Sequence, residues 1–182
     1  MKLIYLIPDK LYYIQNFLDY STYKKLHYDV FKSNLIKLKS TKKLWGEGLK
    51  YGYKNFVEKT HLDTKYKPLQ KIKILLENNP FHKIKITNYE PLIHSMKDGS
   101  GINWHNDHRH IYGITYYINR RWNTKFGGEF LFQDKSSNGF IPLVGNSVVI
   151  VKSPIKHKVT PIMKPTVPRK TIQIFVNKGE IK

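Results

Sequence analysis

The chain has 182 residues, 40% of them hydrophobic and 25% charged, proportions that suit a single soluble globular domain large enough to bury its own core. It contains no cysteine, which excludes disulfides, thiolate metal sites and a cysteine nucleophile. Lys and Arg number 32 against 13 Asp and Glu, a net charge of +19; such a field draws polyanions or acidic partners, although the lysines are spread along the chain, and its wealth of Lys, Ile, Tyr and Asn is also what an AT-rich viral or bacterial genome would encode.

The apolar opening, residues 1–8, is ended by Asp9 and Lys10, and no small-residue cleavage site follows. It is therefore expected to be a first strand and not a signal peptide. No apolar run approaches the roughly 20 residues that span a bilayer, so a cytoplasmic, soluble protein without membrane contact is expected. Residues 11–15 suit a second strand. A helix is expected over residues 20–31, with Tyr23, Leu26 and Val30 on one face and Asp19 or Ser21 as its cap. Residues 40–55 form a glycine-broken, aromatic and basic loop that includes Trp45, Tyr51 and Tyr53. Residues 68–78 suit a second helix, with proline in its first turn and Leu69, Ile72 and Leu76 facing inward.

From Lys83 onward short β-rich runs alternate with Gly, Pro, Asn and Asp. Strands are expected within residues 84–94, 112–118, 128–132, 147–151, 158–162 and 171–176, a pattern that suits a sandwich or barrel. In the last run Ile172, Ile174 and Val176 fall on one face and Thr171, Gln173 and Phe175 on the other. No linker divides the chain. One domain over residues 1–182 is expected, with a helix-rich support over 1–82 and a β core over 83–178.

His105 and Asp107 are two residues apart, so on an extended strand both point to one face. An imidazole and a carboxylate placed in this way can grip one divalent ion, and His157, ahead of a β-run, is the best third ligand. Two histidines and one carboxylate leave open positions on an octahedral metal, the arrangement of non-haem iron(II) oxygenases; a structural zinc would call for four protein ligands. His108 and His110 form a rival His-x-His pair, but residues 111–115 lack the glutamate that a cupin-type site would add. His94 is expected at the surface or behind the ligands.

Beyond the ligands, Thr115-Tyr116-Tyr117-Ile118-Asn119, Phe126-Gly127-Gly128-Glu129-Phe130, His157-Lys158-Val159-Thr160-Pro161 and Arg169 follow in order. With His105-Asn106-Asp107 they make the stretch from Tyr89 to Phe175 resemble the catalytic core of the prolyl 4-hydroxylase-like 2-oxoglutarate/Fe(II)-dependent dioxygenases. The resemblance implies a mainly β, α+β protein with a double-stranded β-helix (jelly-roll) core and N-terminal helices packed outside. It implies His105, Asp107 and His157 as catalytic iron ligands. It also implies 2-oxoglutarate and O2 as co-substrates, with ascorbate as an aid. Arg169 would clamp the far carboxylate of 2-oxoglutarate with paired N–H bonds, Tyr116 would reach the same group, and Thr171 would add a hydroxyl. Lys164 or Lys170 are the alternative anchors. Adjacent strand residues face opposite ways, so Tyr116 and Tyr117 cannot both face the pocket. Gly127-Gly128 suits a tight turn, and Glu129 suits pairing with a nearby base. The interval from His157 to Arg169 is slightly longer than in the hypoxia-sensing members.

The resemblance favours a prolyl or other peptidyl acceptor, hence a protein or peptide partner. Trp45, Tyr51 and Tyr53 would clamp it, with Arg120 and Arg121 on the rim of the entrance. The net charge favours two alternatives, a nucleic-acid oxygenase or demethylase and a non-enzymatic nucleic-acid-binding protein. Demethylases of the alkylation-repair class carry a second Arg six residues after the first; here that position is Phe175.

Overall fold

The computed structural model describes residues 1–32, 39–40, 52–55, 57–78, 84 and 86–177. Among these residues twelve strands form two antiparallel sheets, and two helices flank them. The strands are β1 (Lys2–Ile7), β2 (Leu11–Gln15), β3 (Lys39–Ser40), β4 (Glu58–His61), β5 (Tyr89–Met96), β6 (Ile102–His105), β7 (His110–Tyr117), β8 (Phe130–Gln133), β9 (Asn138–Ile141), β10 (Ser147–Lys152), β11 (Lys156–Val159) and β12 (Arg169–Asn177). The helices are α1 (Tyr20–Lys32) and α2 (Lys67–Glu77). The large sheet runs β1-β2-β10-β7-β12-β5-β4-β3, and the small one β6-β11-β8-β9. Facing one another, they make a double-stranded β-helix.

Strand alternation decides what each face does. In β10, Val148 and Ile150 pack outward with Tyr116, Ile172, Ile174 and the helix residues Leu26, Leu69 and Ile72. Val149 and Val151 turn inward against Tyr117 and against Phe130 and Phe132 of the small sheet. Both faces are buried, so these strands read as continuous apolar runs without a polar alternate. β12 keeps the expected alternation: Ile172, Ile174 and Val176 join the helix-side core, which leaves Arg169, Thr171, Gln173 and Phe175 for the interior.

α1 and α2 bury the predicted residues, Tyr23, Leu26 and Val30 in the first and Leu69, Ile72 and Leu76 in the second. Asp19 caps α1, its carboxylate accepting from the Thr22 N–H at 2.9 Å. The first 82 residues are more than a helical support. β1 and β2 extend the large sheet beside β10, and β4 pairs with β5, so this segment supplies strands as well as helices. The strand expected at 84–94 lies later, at β5, and β6 and β9 are additional. No helix among the described residues is long and apolar enough to cross a membrane.

Candidate active site

The two sheets enclose a cavity of about 590 Å3. His105, Asp107 and His157 line it, with one ligand atom from each lying within 4.8 Å of the others. They are the only such group of metal-ligating side chains among the described residues. β6 ends at His105, so Asp107 sits just past the strand and not on it; its carbonyl accepts from the His110 N–H at 2.8 Å and closes a tight turn. His157 lies inside β11, directly opposite His105 in the antiparallel register. The ring centres lie 4.2 Å apart and the carboxylate faces the Nε2 of both, with Asp107 Oδ2 3.5 Å from His157 Nε2 and Asp107 Oδ1 3.9 Å from His105 Nε2.

Backbone carbonyls fix both tautomers. His105 Nδ1 lies 2.7 Å from the Asn103 carbonyl, and His157 Nδ1 lies 3.1 Å from that of Ile155. A carbonyl only accepts, so each Nδ1 carries a proton, and each Nε2 is the nitrogen turned toward the carboxylate. Orientation by a hydrogen bond on the distal nitrogen is the usual arrangement for a metal-binding imidazole. Phe130 stacks on His157 at 5.0 Å, and burial, aided by His105, pushes the His157 pKa down to about 4. The ring is thus neutral at physiological pH, the form a metal requires.

Gly113 of β7 makes room for the carboxylate: a Cβ there would stand 2.5 Å from Asp107 Oδ2. Sequence reasoning passed over this glycine. Its signal was a glycine in the middle of a strand otherwise made of aromatic and β-branched residues, which marks close approach by another group.

Arg169, at the start of β12, is 1% exposed. Its Nε donates to the Gly128 carbonyl at 3.1 Å and its Nη1 to Met96 Sδ at 3.3 Å, while Nη2 has no aligned acceptor among the described residues. Its Cζ lies 5.3 Å from the centre of the Tyr117 ring, and the buried Tyr117 hydroxyl oxygen lies toward the guanidinium, which leaves its O–H without an aligned acceptor among the described residues. Burial pushes the Tyr117 pKa up to about 12, so the phenol keeps its proton and remains a donor. A buried cation and a buried O–H, each with unused donor capacity, make a socket with the chemistry to hold a carboxylate.

Tyr116 is not part of that socket. It faces the helix-side core, and its hydroxyl donates to Asn146 Oδ1 at 2.8 Å. The sequence assignment therefore moves one residue along the strand, to Tyr117, because the two neighbours face opposite sheet surfaces. Thr171 shares the interior face, where its hydroxyl accepts from Gln173 Nε2 at 3.1 Å. His94, expected near the surface or behind the ligands, is buried in the cavity wall, and burial, then Lys59 and Arg169, push its pKa down to about 3. Lys170 is on the opposite face of β12, with its Nζ on the Val30 carbonyl at 2.8 Å.

The Gly127-Gly128 turn is a wedge behind Arg169. Both glycines have left-handed φ, 72° and 82°, and a Cβ on Gly128 would stand 2.6 Å from Ile162 and 3.1 Å from the Arg169 stem. Thr160 holds the turn: its hydroxyl accepts from the Gly128 and Glu129 N–H groups at 2.8 and 3.0 Å and donates to the Glu129 carboxylate. Glu129 is thus bound to a hydroxyl, where a base had been expected.

His108 and His110 line the cavity, but their Nδ1 atoms engage Asn106 and Asn177. Tyr53 packs on Gly101 and reaches the Val159 carbonyl at 3.4 Å, one layer behind the wall formed by Ile102 and Val159. Trp45 and Tyr51 lie outside the described residues. Arg120 and Arg121 line a different cavity, on the helix side, and do not rim this one, because β7 ends at Tyr117 and the chain leaves the sheet at its far end.

A double-stranded β-helix with two imidazoles and a carboxylate on its inner face defines a class, the non-haem iron oxygenases. Residues 91–177 match the family described as the 2OG-Fe(II) oxygenase superfamily, so this β core is an oxygenase domain, and the chain an oxidoreductase of the dioxygenase kind. Among solved structures it is similar to a prolyl-4-hydroxylase from Pseudomonas putida, with a TM-score of 0.71 and 14% identity over 93% of this chain and 94% of that one. It is similar to a Trichoplax adhaerens prolyl hydroxylase in complex with a hypoxia inducible factor peptide fragment, with a TM-score of 0.68 and 15% identity over 93% and 84%. It also resembles the viral collagen prolyl hydroxylase of Paramecium Bursaria Chlorella virus-1, with a TM-score of 0.63 and 14% identity over 92% and 96%. No curated protein matches the chain by sequence.

Proposed function

We propose that this oxygenase hydroxylates a peptidyl residue, prolyl in the first instance, with His105, Asp107 and His157 holding iron(II) and Arg169 with Tyr117 holding 2-oxoglutarate. The observation that carries the reading is the buried, incompletely bonded Arg169 guanidinium in the same cavity as the three candidate ligands. The donor set fits iron(II): two neutral imidazoles and one carboxylate, with positions left for co-substrates. When bound, iron and 2-oxoglutarate supply the O2-dependent oxidation that yields succinate, CO2 and a hydroxylated product.

The chain's own residues do the rest. The Asn103 and Ile155 carbonyls aim the imidazole lone pairs. Gly113 leaves the carboxylate its space. Arg169, braced by the Gly128 carbonyl, offers a fixed cation to a dianionic co-substrate, and the Tyr117 O–H offers a second donor. Phe130, stacked on the His157 ring, shields one face of it from water. A peptide acceptor is supported by the prolyl hydroxylase structures, one of which holds a peptide. The alkylation-repair alternative lacks its second arginine, since residue 175 is Phe.

The test is succinate formation from 2-oxoglutarate with iron(II), O2 and ascorbate, in the presence of a library of proline-containing peptides. Expected are stimulation by a subset of them and the gain of one oxygen on proline by mass spectrometry. Stimulation by oligonucleotides alone would refute the peptidyl reading.

A further inference from the structure

A second cavity, of about 530 Å3, opens on the helix side of the large sheet. It shares no lining residue with the first. His27 and Lys32 of α1, Arg120 and Arg121 after β7, and Lys170 of β12 line it, and no carboxylate does. Such a grouping is costly without a counter-ion, since like charges at short range repel.

Internal partners among the described residues do not meet the cost. Among the described residues none of Lys32, Arg120, Arg121 and Lys170 is in a salt bridge. Arg120 Nη2 donates to the Tyr20 hydroxyl at 3.0 Å and Lys170 Nζ to the Val30 carbonyl at 2.8 Å, both neutral acceptors. Glu58, whose field reaches Lys170, is bridged to Lys97 at 2.8 Å. The cations do crowd one place: Arg120, Lys32 and Lys170 all act on His27, and together with burial they lower its pKa. Lys170 is held in position, 4.6 Å above the Phe31 ring, which itself stacks on His27 at 4.7 Å.

We propose that this cavity is a binding site for an oligophosphate, the linear polyanion of inorganic tripolyphosphate or of a nucleoside triphosphate tail. Size argues against a lone phosphate: the space is that of a pocket for a small organic molecule. The donor set argues for several phosphates, with two guanidiniums as forked donors and two ammoniums as point charges. His27 and Lys170 already lie against the Phe31 ring, at 4.7 and 4.6 Å, so the charged contacts are assigned to the anionic chain and not to a base stacked on Phe31.

The experiment is calorimetric titration of the full chain with inorganic tripolyphosphate at physiological ionic strength, where a Debye length of about 8 Å screens distant charge. The test variant is Lys32→Ser/Arg121→Ser, both exposed. The charge-matched control is Lys2→Ser/Lys65→Ser, exposed and outside the cavity. Expected are saturable binding to wild type, a loss of at least about tenfold in the test variant, an unchanged control, and superimposable melting curves without ligand. ATP in a parallel titration separates the sources: tighter binding than tripolyphosphate assigns the site to nucleotides, and equal or weaker binding to the phosphate chain alone. No saturable binding, or an equal loss in test and control variants, would overturn the proposal and leave a diffuse basic field. So would a single-stranded oligonucleotide that binds wild type and both variants alike and displaces tripolyphosphate.

Discussion

Gly113→Ala isolates the space that the candidate carboxylate ligand needs. The added Cβ would stand 2.5 Å from Asp107 Oδ2, so the oxygen must retreat by about 0.9 Å to reach an ordinary 3.4 Å contact. Asp107 yields more easily than the strand, because it sits in a turn while β7 is paired on both sides. Metal–ligand distances tolerate about 0.2 Å, so the shift breaks the site without unfolding the protein. Disturbing a ligand's support costs about 10- to 100-fold in metal affinity, or about 1.4–2.8 kcal/mol. The assay is anaerobic titration with iron(II), or with cobalt(II) as a spectroscopic stand-in, beside a thermal melt of the metal-free protein. Wild-type metal affinity in a variant with an unchanged melt would refute the steric reasoning and with it the assignment of Asp107 as a ligand.

The tyrosine pair is separable. Tyr117→Phe should raise the KM for 2-oxoglutarate about tenfold, the worth of one hydrogen bond to a charged group, and leave the melt unchanged. Tyr116→Phe should lower stability by about 0.5–1.5 kcal/mol through the loss of its bond to Asn146 Oδ1, which keeps the Leu18 N–H, and leave that KM alone; the reverse pattern would restore Tyr116 to the socket. Arg169→Ala should raise the 2-oxoglutarate requirement sharply while iron binding, followed by calorimetry, stays near wild type. An unchanged requirement would move the anchor to a lysine. His94 supplies a pH test. Its folded pKa is depressed to about 3, so its contribution to stability is present above the ordinary value near 6.5 and is lost as pH falls toward 3. Melting of His94→Asn over that window should fall less steeply than wild type; parallel curves would show that the imidazole is not held neutral.

The sequence made the helices, the central strands and the candidate ligands legible because each carries a period or a spacing. Leu69, Ile72 and Leu76 recur at helical intervals, and His105 and Asp107 stand in a His-x-Asp spacing, although Asp107 lies in the turn past β6 and not on an extended strand. What stayed hidden depends on contacts between segments far apart in the chain. Whether Tyr116 or Tyr117 faces inward turns on a single residue of phase, which β7 settles only by pairing Tyr117 with Ser147 on one side and Thr171 on the other. β6 and β9 are short and partly exposed, with little apolar signal of their own. Thr160 looks like any strand-end threonine until the fold brings the Gly127-Gly128 turn to its hydroxyl. Arg120 and Arg121 follow a motif strand in sequence, yet that strand delivers them to the helix side.

The opposition of His105 and His157 across β6 and β11 gives the small sheet a built-in gauge. A slip of one residue between those strands would swing one imidazole out to solvent and bring Lys156 or Lys158 to the interior. The misaligned sheet would then point a positive charge where a cation has to sit, so it could neither bind iron nor be stabilised by it. With His105, Asp107 and His157 as the proposed ligands, metal would accumulate only on correctly threaded molecules, and a short, weakly apolar sheet would have its alignment checked by the ion it is proposed to hold.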